Sequence, residues 1–527
     1  MKKSIILFSL YCIAVVLFLS CDPSVPTHAK YIPGDVTGIV SVKLERLMTK
    51  SGASDELRAT VLEKFDTSLP SEFMEPLEPI LKDGIDLKQD LYLFFHKNGP
   101  NNGHKGGLAS TLGFVAKVGD VKKLKEAFAT LVKEGSKGGN GWSLEEKEGY
   151  SKVIAEGVVF VFKEDVLIGV FSSAAGTLFS DSGQLAEDMI LERFSENAGG
   201  SFAEKEVFKK IVADDKDISI AILTTDVLDL AQGLNKNIAL WQNLYTDFDY
   251  SNTYLIANMN AEKGVLSFSS STYPLDTENM KQLQALTSFF SKLSNRFLDY
   301  YPSNTLLYFA MHANGEDLFK YYDKTGVWGM LKTLYGDIKK EEIQRLASSF
   351  LGETAFGLTG ISLSSMPSLA LYSEVKDDYA FRTLIDFLKN EPETRAALLE
   401  TTADNYEVDL GLAKIYFGLK DKTLYVTTDE ITYKNLFQKA WKPLSSHESS
   451  KGLREAYAAF VINVEEITAL LVVQAVLEEN LYKCLSEFSY IELLSETQNK
   501  GVANFYFKNK KDNSLKILAN YLFLFQK

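Results

Sequence analysis

Cysteine is scarce in this chain, since only three of its 527 residues are cysteines: Cys12, Cys21 and Cys484. Cys12 and Cys21 lie within and at the end of an apolar leader, so Cys484 is the only cysteine in the body of the chain. A single thiol cannot form an internal disulfide, and the fold must therefore be stabilised by buried apolar surface. The pattern around Cys484 is helical and predicts a small buried apolar residue rather than a reactive group.

An excess of basic charge is also lacking. The formal net charge is −14, which argues against nucleic acid or an anionic lipid surface as a partner, because either would need a basic face. A chain of 527 residues is too long for one core of ordinary size, so two domains are expected.

Motifs for catalysis, metals and cofactors are missing as well. None of the five histidines stands four residues from another, and the chain has no nucleophile elbow, phosphate loop or dinucleotide fingerprint. Ser373-Glu374-Val375-Lys376 has the Ser-x-x-Lys spacing of enzymes that form an acyl-enzyme on serine. That motif belongs at the start of a helix, but here it falls in a predicted strand. Asp214-Asp215-Lys216-Asp217 lacks the glycine and the distal glutamate of a calcium loop, which predicts a solvated turn. No catalytic residue, cofactor or metal is predicted.

The leader is the clearest targeting signal in the sequence. Lys2 and Lys3 precede an apolar run from Ile5 to Leu19, which has the length of a signal peptide and is shorter than a membrane span of about 20 residues. Ser20-Cys21 ends the run and resembles the lipobox of bacterial lipoproteins. That resemblance implies removal of residues 1–20 and a lipid on Cys21, with residues 21–30 as a tether. The alternative is an ordinary secretory peptide followed by a coincidental cysteine.

Hairpins and amphipathic helices dominate the body. Apolar runs at 91–96 and 111–118 predict one hairpin, and runs at 158–162 and 166–171 predict another. Between the two hairpins, a helix is predicted from residue 121, because Leu124, Phe128 and Leu131 would share one face.

The second half of the chain repeats this order. Pro33 and Pro302 open similar segments 269 positions apart, and a strand predicted at 368–375 is followed by a second amphipathic helix. The buried stripe of that helix lies 257 positions after the first one and consists of Phe381, Ile385 and Leu388. We therefore predict an internal duplication with halves at 31–290 and 291–527. The fold class is α+β, with a mainly antiparallel sheet in each half packed by helices on one face.

Ile32-Pro33-Gly34-Asp35, followed by a strand and a helix, completes the pattern. Over nearly its whole length the chain resembles the uncharacterised Bacteroidota lipoproteins grouped as domain of unknown function 4836. The resemblance implies a location and a fold, and it brings no known site residues.

The expectation is a lipid-anchored cell-envelope protein with a non-catalytic binding or structural role. The outer membrane facing the periplasm is favoured, because no acidic run follows Cys21 as it does in surface-exported lipoproteins, and exposure at the surface stays open. Expected partners are the membrane, through the anchor, and an envelope protein or glycan, with no nucleic acid. The alternative is a glycan- or peptide-processing enzyme with a site in the cleft between the halves.

Overall fold

A computed structural model of the chain describes most of the body of the protein. The described residues are 25–52, 80, 84–97, 110–137, 142–155, 158–172, 200–227, 250–324, 339–361, 366–411, 414–440, 442–497 and 499–522. The chain divides into two compact units, Met1–Asp226 with Tyr254–Asn258 and Val227–Thr253 with Met259–Lys527.

The first unit is built on an antiparallel sheet in which eight described strands follow the order β8-β1-β2-β3-β7-β6-β5-β4. These strands are β1 (Gly38–Val42), β2 (Leu91–Lys97), β3 (Ser110–Lys117), β4 (Ser143–Lys147), β5 (Tyr150–Ala155), β6 (Val158–Phe162), β7 (Val166–Ser172) and β8 (Ile218–Leu223). Its described α-helices are Leu44–Ser51, Val121–Lys137 and Glu206–Asp214, with 3-10 turns at Thr27–Tyr31 and Phe202–Glu204. Both predicted hairpins are confirmed, as β2 with β3 and as β6 with β7.

The helix Val121–Lys137 also confirms its prediction. It begins after Asp120, whose carboxylate accepts hydrogen bonds from the backbone N–H groups of Lys122 (2.9 Å) and Lys123 (3.2 Å), two donors that the first turn would otherwise leave unpaired. Phe128 is fully buried, and its ring centroid lies 5.2 Å from that of Phe162. The apolar stripe read from the sequence is therefore the face that packs on the sheet.

The second unit has a longer antiparallel sheet with the order β14-β15-β16-β17-β13-β12-β11-β18-β19-β20-β10, and β9 pairs with β10. The strands are β9 (Thr253–Glu262), β10 (Val265–Pro274), β11 (Leu307–Asn314), β12 (Phe350–Gly360), β13 (Ser368–Val375), β14 (Leu398–Thr402), β15 (Asn405–Asp409), β16 (Lys414–Lys420), β17 (Thr423–Thr427), β18 (Ala458–Ile462), β19 (Phe488–Thr497) and β20 (Lys500–Phe507).

Short helices connect and cover these strands. The described α-helices are Thr277–Thr287, Gly315–Lys324, Lys340–Ala347, Tyr379–Asn390, Pro392–Arg395, Glu430–Lys434, Val464–Ala469, Leu471–Val476, Glu479–Ser486 and Ser514–Leu522. The 3-10 turns are Leu298–Tyr300, Leu444–Ser446, Glu448–Ser450 and Gly452–Glu455. Of the helices in the described ranges, none is both long enough and apolar enough to cross a bilayer.

A buried tyrosine ties the segment before β11 to the sheet of the second unit. Tyr301 is 1% exposed, and its hydroxyl donates to the backbone oxygens of Ala355 in β12 and Ala370 in β13, both at 3.1 Å. Desolvation raises the pKa of the Tyr301 hydroxyl well above its usual value, so the group stays a neutral donor.

Cys484 is less buried than the sequence suggested. It is half-buried on the helix Glu479–Ser486, where it packs against an apolar cluster that includes Phe488 and Phe507. Burial raises the pKa of its thiol, which disfavours the reactive thiolate form.

Candidate functional site: a charged cleft in the first unit

Three cationic side chains share one side of the helix that follows β1. The helix Leu44–Ser51 places Arg46 and Lys50 on the same face as Lys43, the residue just before it, because the spacings of three and seven residues are each close to whole turns. The start of the helix is fixed by the backbone N–H of Glu45, which donates to the backbone oxygen of Leu87 at 3.3 Å.

Acidic side chains hold these three cations in place. Lys43 Nζ lies 2.7 Å from Asp215 and 3.4 Å from Asp90. Arg46 donates from Nη2 to the Asp215 carboxylate at 3.1 and 3.2 Å, and from Nη1 to the Asp215 backbone oxygen at 3.0 Å. Hydrogen bonds from Lys43, and then from Arg46, keep the pKa of Asp215 below its usual value. The arrangement fixes side chains that would otherwise be mobile.

Lys50 makes the most deeply placed of these contacts. Its Nζ donates to both carboxylate oxygens of Asp217 at 2.7 Å, and the Asp217 side chain is fully buried. Asp217 reaches this position because the helix Glu206–Asp214 ends at Asp215 in a left-handed conformation (φ 47°), three residues before β8 begins at Ile218. The backbone N–H of Lys43 then donates to the Asp217 carbonyl at 3.0 Å, next to the β1–β8 ladder.

A cleft of about 470 Å³ opens beside this face. Its lining residues are Lys43, Glu45, Arg46, Thr49, Lys50, Leu87, Lys88 and Asp90, so four cationic side chains face two acidic ones. Lys88 is exposed, and its ammonium group makes no ion pair with any residue in the described ranges. The volume suits a small ligand or one group of a larger one, and the lining is far more charged than that of an ordinary apolar pocket.

The acidic wall of the cleft is rigid. Asp90 accepts a hydrogen bond from Ser41 Oγ at 3.0 Å, and its backbone oxygen lies 2.9 Å from Nε2 of the buried His28. Burial lowers the pKa of His28, so its imidazole is neutral near pH 7 and donates to that oxygen. These contacts fix the position of Asp90 beside Lys43 on the cleft lining.

One sequence prediction about this region is confirmed only in part. Asp214-Asp215-Lys216-Asp217 was expected to be a solvated turn, and Asp215 does lie in an exposed turn, but Asp217 is fully buried and paired with Lys50. The reason is its place directly before β8, where the backbone enters the sheet and carries the carboxylate under the helix Leu44–Ser51.

The other candidate residues give no second site. Cys21 lies outside the described residues. Ser373 is in β13, as expected, where it is buried with its Oγ 2.6 Å from Thr354 Oγ1. Across the described part of the chain, no three His, Cys, Asp or Glu side chains are close enough together to hold a metal ion.

The described residues define a mixed α and β protein built on open antiparallel sheet, with a charged cleft beside β1. The chain belongs to the family described as a domain of unknown function (DUF4836), whose model matches residues 28–515. No curated protein matches the chain.

Two solved structures have local likeness to the chain. They are crystal form I and crystal form IV of TP0453, at 10% and 8% sequence identity, and each comparison covers 50% of this chain and 85% of the other. The TM-scores are 0.26 and 0.24, which are too low to carry a function over to this protein.

Proposed function

We propose that this protein is a non-catalytic, lipid-anchored binding protein of the cell envelope that engages its partner at the cleft of the first unit. The observation that carries the binding role is the cleft itself, which is lined by four cations, three of them held by ion pairs, within a chain of net charge −14. The partner is an envelope protein or a glycan that presents anionic groups. The enzyme alternative stays a prediction, because no observation on the described residues favours it.

The anchor in this proposal is a lipid on Cys21, at the outer membrane and facing the periplasm. Each buried methylene of an acyl chain contributes about 0.8 kcal/mol, so two or three chains hold a soluble body firmly at a bilayer. Labelling of cells with radioactive palmitate tests the anchor. Wild type and Cys12→Ala should take up label and Cys21→Ala should not, whereas a labelled Cys21→Ala protein would rule the anchor out.

Photo-crosslinking in cells tests the binding site. Thr49 lines the cleft and is exposed, so a benzoyl-phenylalanine placed there faces a bound partner. Lys122, which is exposed on the helix Val121–Lys137 and outside the cleft lining, is the matched control position. We expect a discrete adduct from position 49 only, and equal adducts from both positions, or none, would contradict the assignment.

We also propose that the two halves, 31–290 and 291–527, arose by duplication. The order β8-β1-β2-β3-β7-β6-β5-β4 of the first unit recurs as β18-β11-β12-β13-β17-β16-β15-β14 in the second.

The strand registers support the same proposal. The Lys117–Val166 pair of β3 and β7 has a counterpart in Glu374–Thr423 of β13 and β17, shifted by 257 positions on both strands. The Phe162–Leu167 pair and the Leu419–Leu424 pair differ by the same 257 positions. A crystal structure of the protein should show these eight strands of each unit superposing in order and direction, and a different strand order in either unit would contradict the proposal.

A further inference from the structure

The cleft has hydrogen-bond donors left over after its internal ion pairs are formed. Arg46 uses Nη1 and Nη2 for Asp215, and its Nε–H makes no hydrogen bond with any residue in the described ranges. Lys88 also lines the cleft, and its exposed ammonium group makes no ion pair with any residue in the described ranges. Arg46 and Lys88 lie on different chain segments that line the same cleft, and both keep N–H donors that no residue in the described ranges uses.

The remaining charges of the cleft select an anion with several oxygens. A carboxylate is planar and carries one charge, and it can be satisfied by a single guanidinium group. A phosphate group presents oxygens in several directions and carries up to two charges, so it can accept from both Arg46 and Lys88, which line the same cleft. Glu45 and Asp90, which also line the cleft, repel negative charge. They therefore favour a ligand whose charge is concentrated in one group near the cations over a ligand with several separate negative groups.

The corresponding positions of the second unit carry no lysine or arginine. At the duplication offset of 269 positions, His312, Gly315 and Phe319 stand where Lys43, Arg46 and Lys50 stand in the first unit. Nδ1 of His312 lies 2.8 Å from the backbone oxygen of Lys292, and Phe319 is 6% exposed. The shared strand order of the two units therefore does not by itself require these cations.

We infer that the cleft binds a phosphate group, either free or as part of a lipid or glycan, with Arg46 and Lys88 as its direct ligands. This inference rests on the proposed binding function and names the chemistry that the same site recognises. Asp215 and Asp217 neutralise Lys43 and Lys50 and hold them and Arg46 in position, so the donors that remain for a phosphate are those of Arg46 and Lys88.

Calorimetric titration of the purified full chain tests the inference. Inorganic phosphate, acetate and a short-chain phosphatidylglycerol below its micellar concentration are the probes, at low ionic strength so that screening does not hide the charge contribution. Wild type should bind phosphate more tightly than acetate. Tighter binding of the phospholipid would identify a lipid headgroup as the source, and equal binding would identify a free or glycan-borne phosphate.

Single substitutions locate the site. Arg46→Gln should weaken phosphate binding by about tenfold or more, as expected for the loss of a charge-assisted hydrogen bond. Lys88→Gln should weaken it severalfold without disturbing the fold, since Lys88 is exposed and unpaired in the described residues. The matched control Lys122→Gln should bind as wild type does.

Three results would overturn the inference: no phosphate binding by wild type, affinity for acetate equal to that for phosphate, or unchanged binding in both Arg46→Gln and Lys88→Gln. Its failure is distinguishable from failure of the proposed function. A crosslinked adduct from position 49 without phosphate binding would leave the binding site in place and refute only the ligand class.

Discussion

Removing the ammonium group that faces Asp217 should destabilise the first unit. Lys50 Nζ donates to both oxygens of a carboxylate that is fully buried, while the Lys50 side chain is 22% exposed. In Lys50→Met the methylene stem remains and the charge is lost, so the Asp217 carboxylate stays buried without its principal cation. Breaking a buried pair in this way costs about 3 to 5 kcal/mol. We expect about 3 kcal/mol, because Arg46 Nη1 lies 3.8 Å from Asp217 and offsets part of the loss.

Hydrogen exchange measured by mass spectrometry is the suitable assay, because it reports on the first unit separately from the rest of the chain. The free energy of opening of β1 and β8, which flank the pair, should fall by that amount in Lys50→Met. Lys483→Met is the control, since it breaks an exposed pair with Glu479 and should leave exchange nearly unchanged.

A double substitution separates the lost pair from other effects. Lys50→Met with Asp217→Leu removes both charges and should recover part of the lost stability. If Lys50→Met exchanges like Lys483→Met, then Asp217 does not depend on Lys50 and the account of the cleft frame is wrong.

Three further predictions concern the second unit. Phe381→Ala should lower the free energy of unfolding in urea by about 3 to 5 kcal/mol, because Phe381 is 1% exposed. The control Phe387→Ala should change it by less than about 0.5 kcal/mol, because Phe387 is 59% exposed. Burial raises the pKa of the Glu492 carboxyl group, so this group keeps its proton to a higher pH in the native state than in the unfolded chain. The free energy of unfolding therefore falls as the pH rises through the native pKa. Glu492→Gln should therefore raise the melting temperature relative to wild type by more at pH 8 than at pH 4. Lys422→Gly should stabilise the β16–β17 turn by about 0.5 kcal/mol in urea unfolding, because Lys422 has φ 59°, and a decrease in stability would contradict this reading of the turn.

Elements with a strong apolar period could be predicted from the sequence. The strand predicted at 368–375 is β13 with the same bounds, and the helix Tyr379–Asn390 buries Phe381 and Ile385 as expected. In both cases, burial of one face decides the structure, and the spacing of apolar residues records that face.

The β4–β5 and β14–β15 hairpins were not predicted, because their strands lack a strong apolar period. β4 reads Ser143–Lys147 with Leu144 as its only apolar residue, and most of β14, Leu398–Thr402, is exposed. These strands exist because they pair with β5 and β15 along the backbone. Backbone pairing at the edge of a sheet leaves little trace in side-chain pattern.

The cleft was not predicted from the sequence. The spacing of Lys43, Arg46 and Lys50, just before and along one helix, was a signal of a shared cationic face from which no site was predicted. Their partners were not readable, since Asp217 lies 167 positions from Lys50 and the two meet only through the β1–β8 pairing. The same tertiary pairing turned an expected solvated acid into a buried one.

The central claim is that a partner with a phosphate group occupies the cleft beside β1. The most direct measurement is photo-crosslinking from position 49 in intact cells, repeated with increasing inorganic phosphate. The account predicts one adduct from position 49, absent from position 122, that fades as phosphate rises. An adduct that persists unchanged at saturating phosphate, or one that forms equally from position 122, would contradict it.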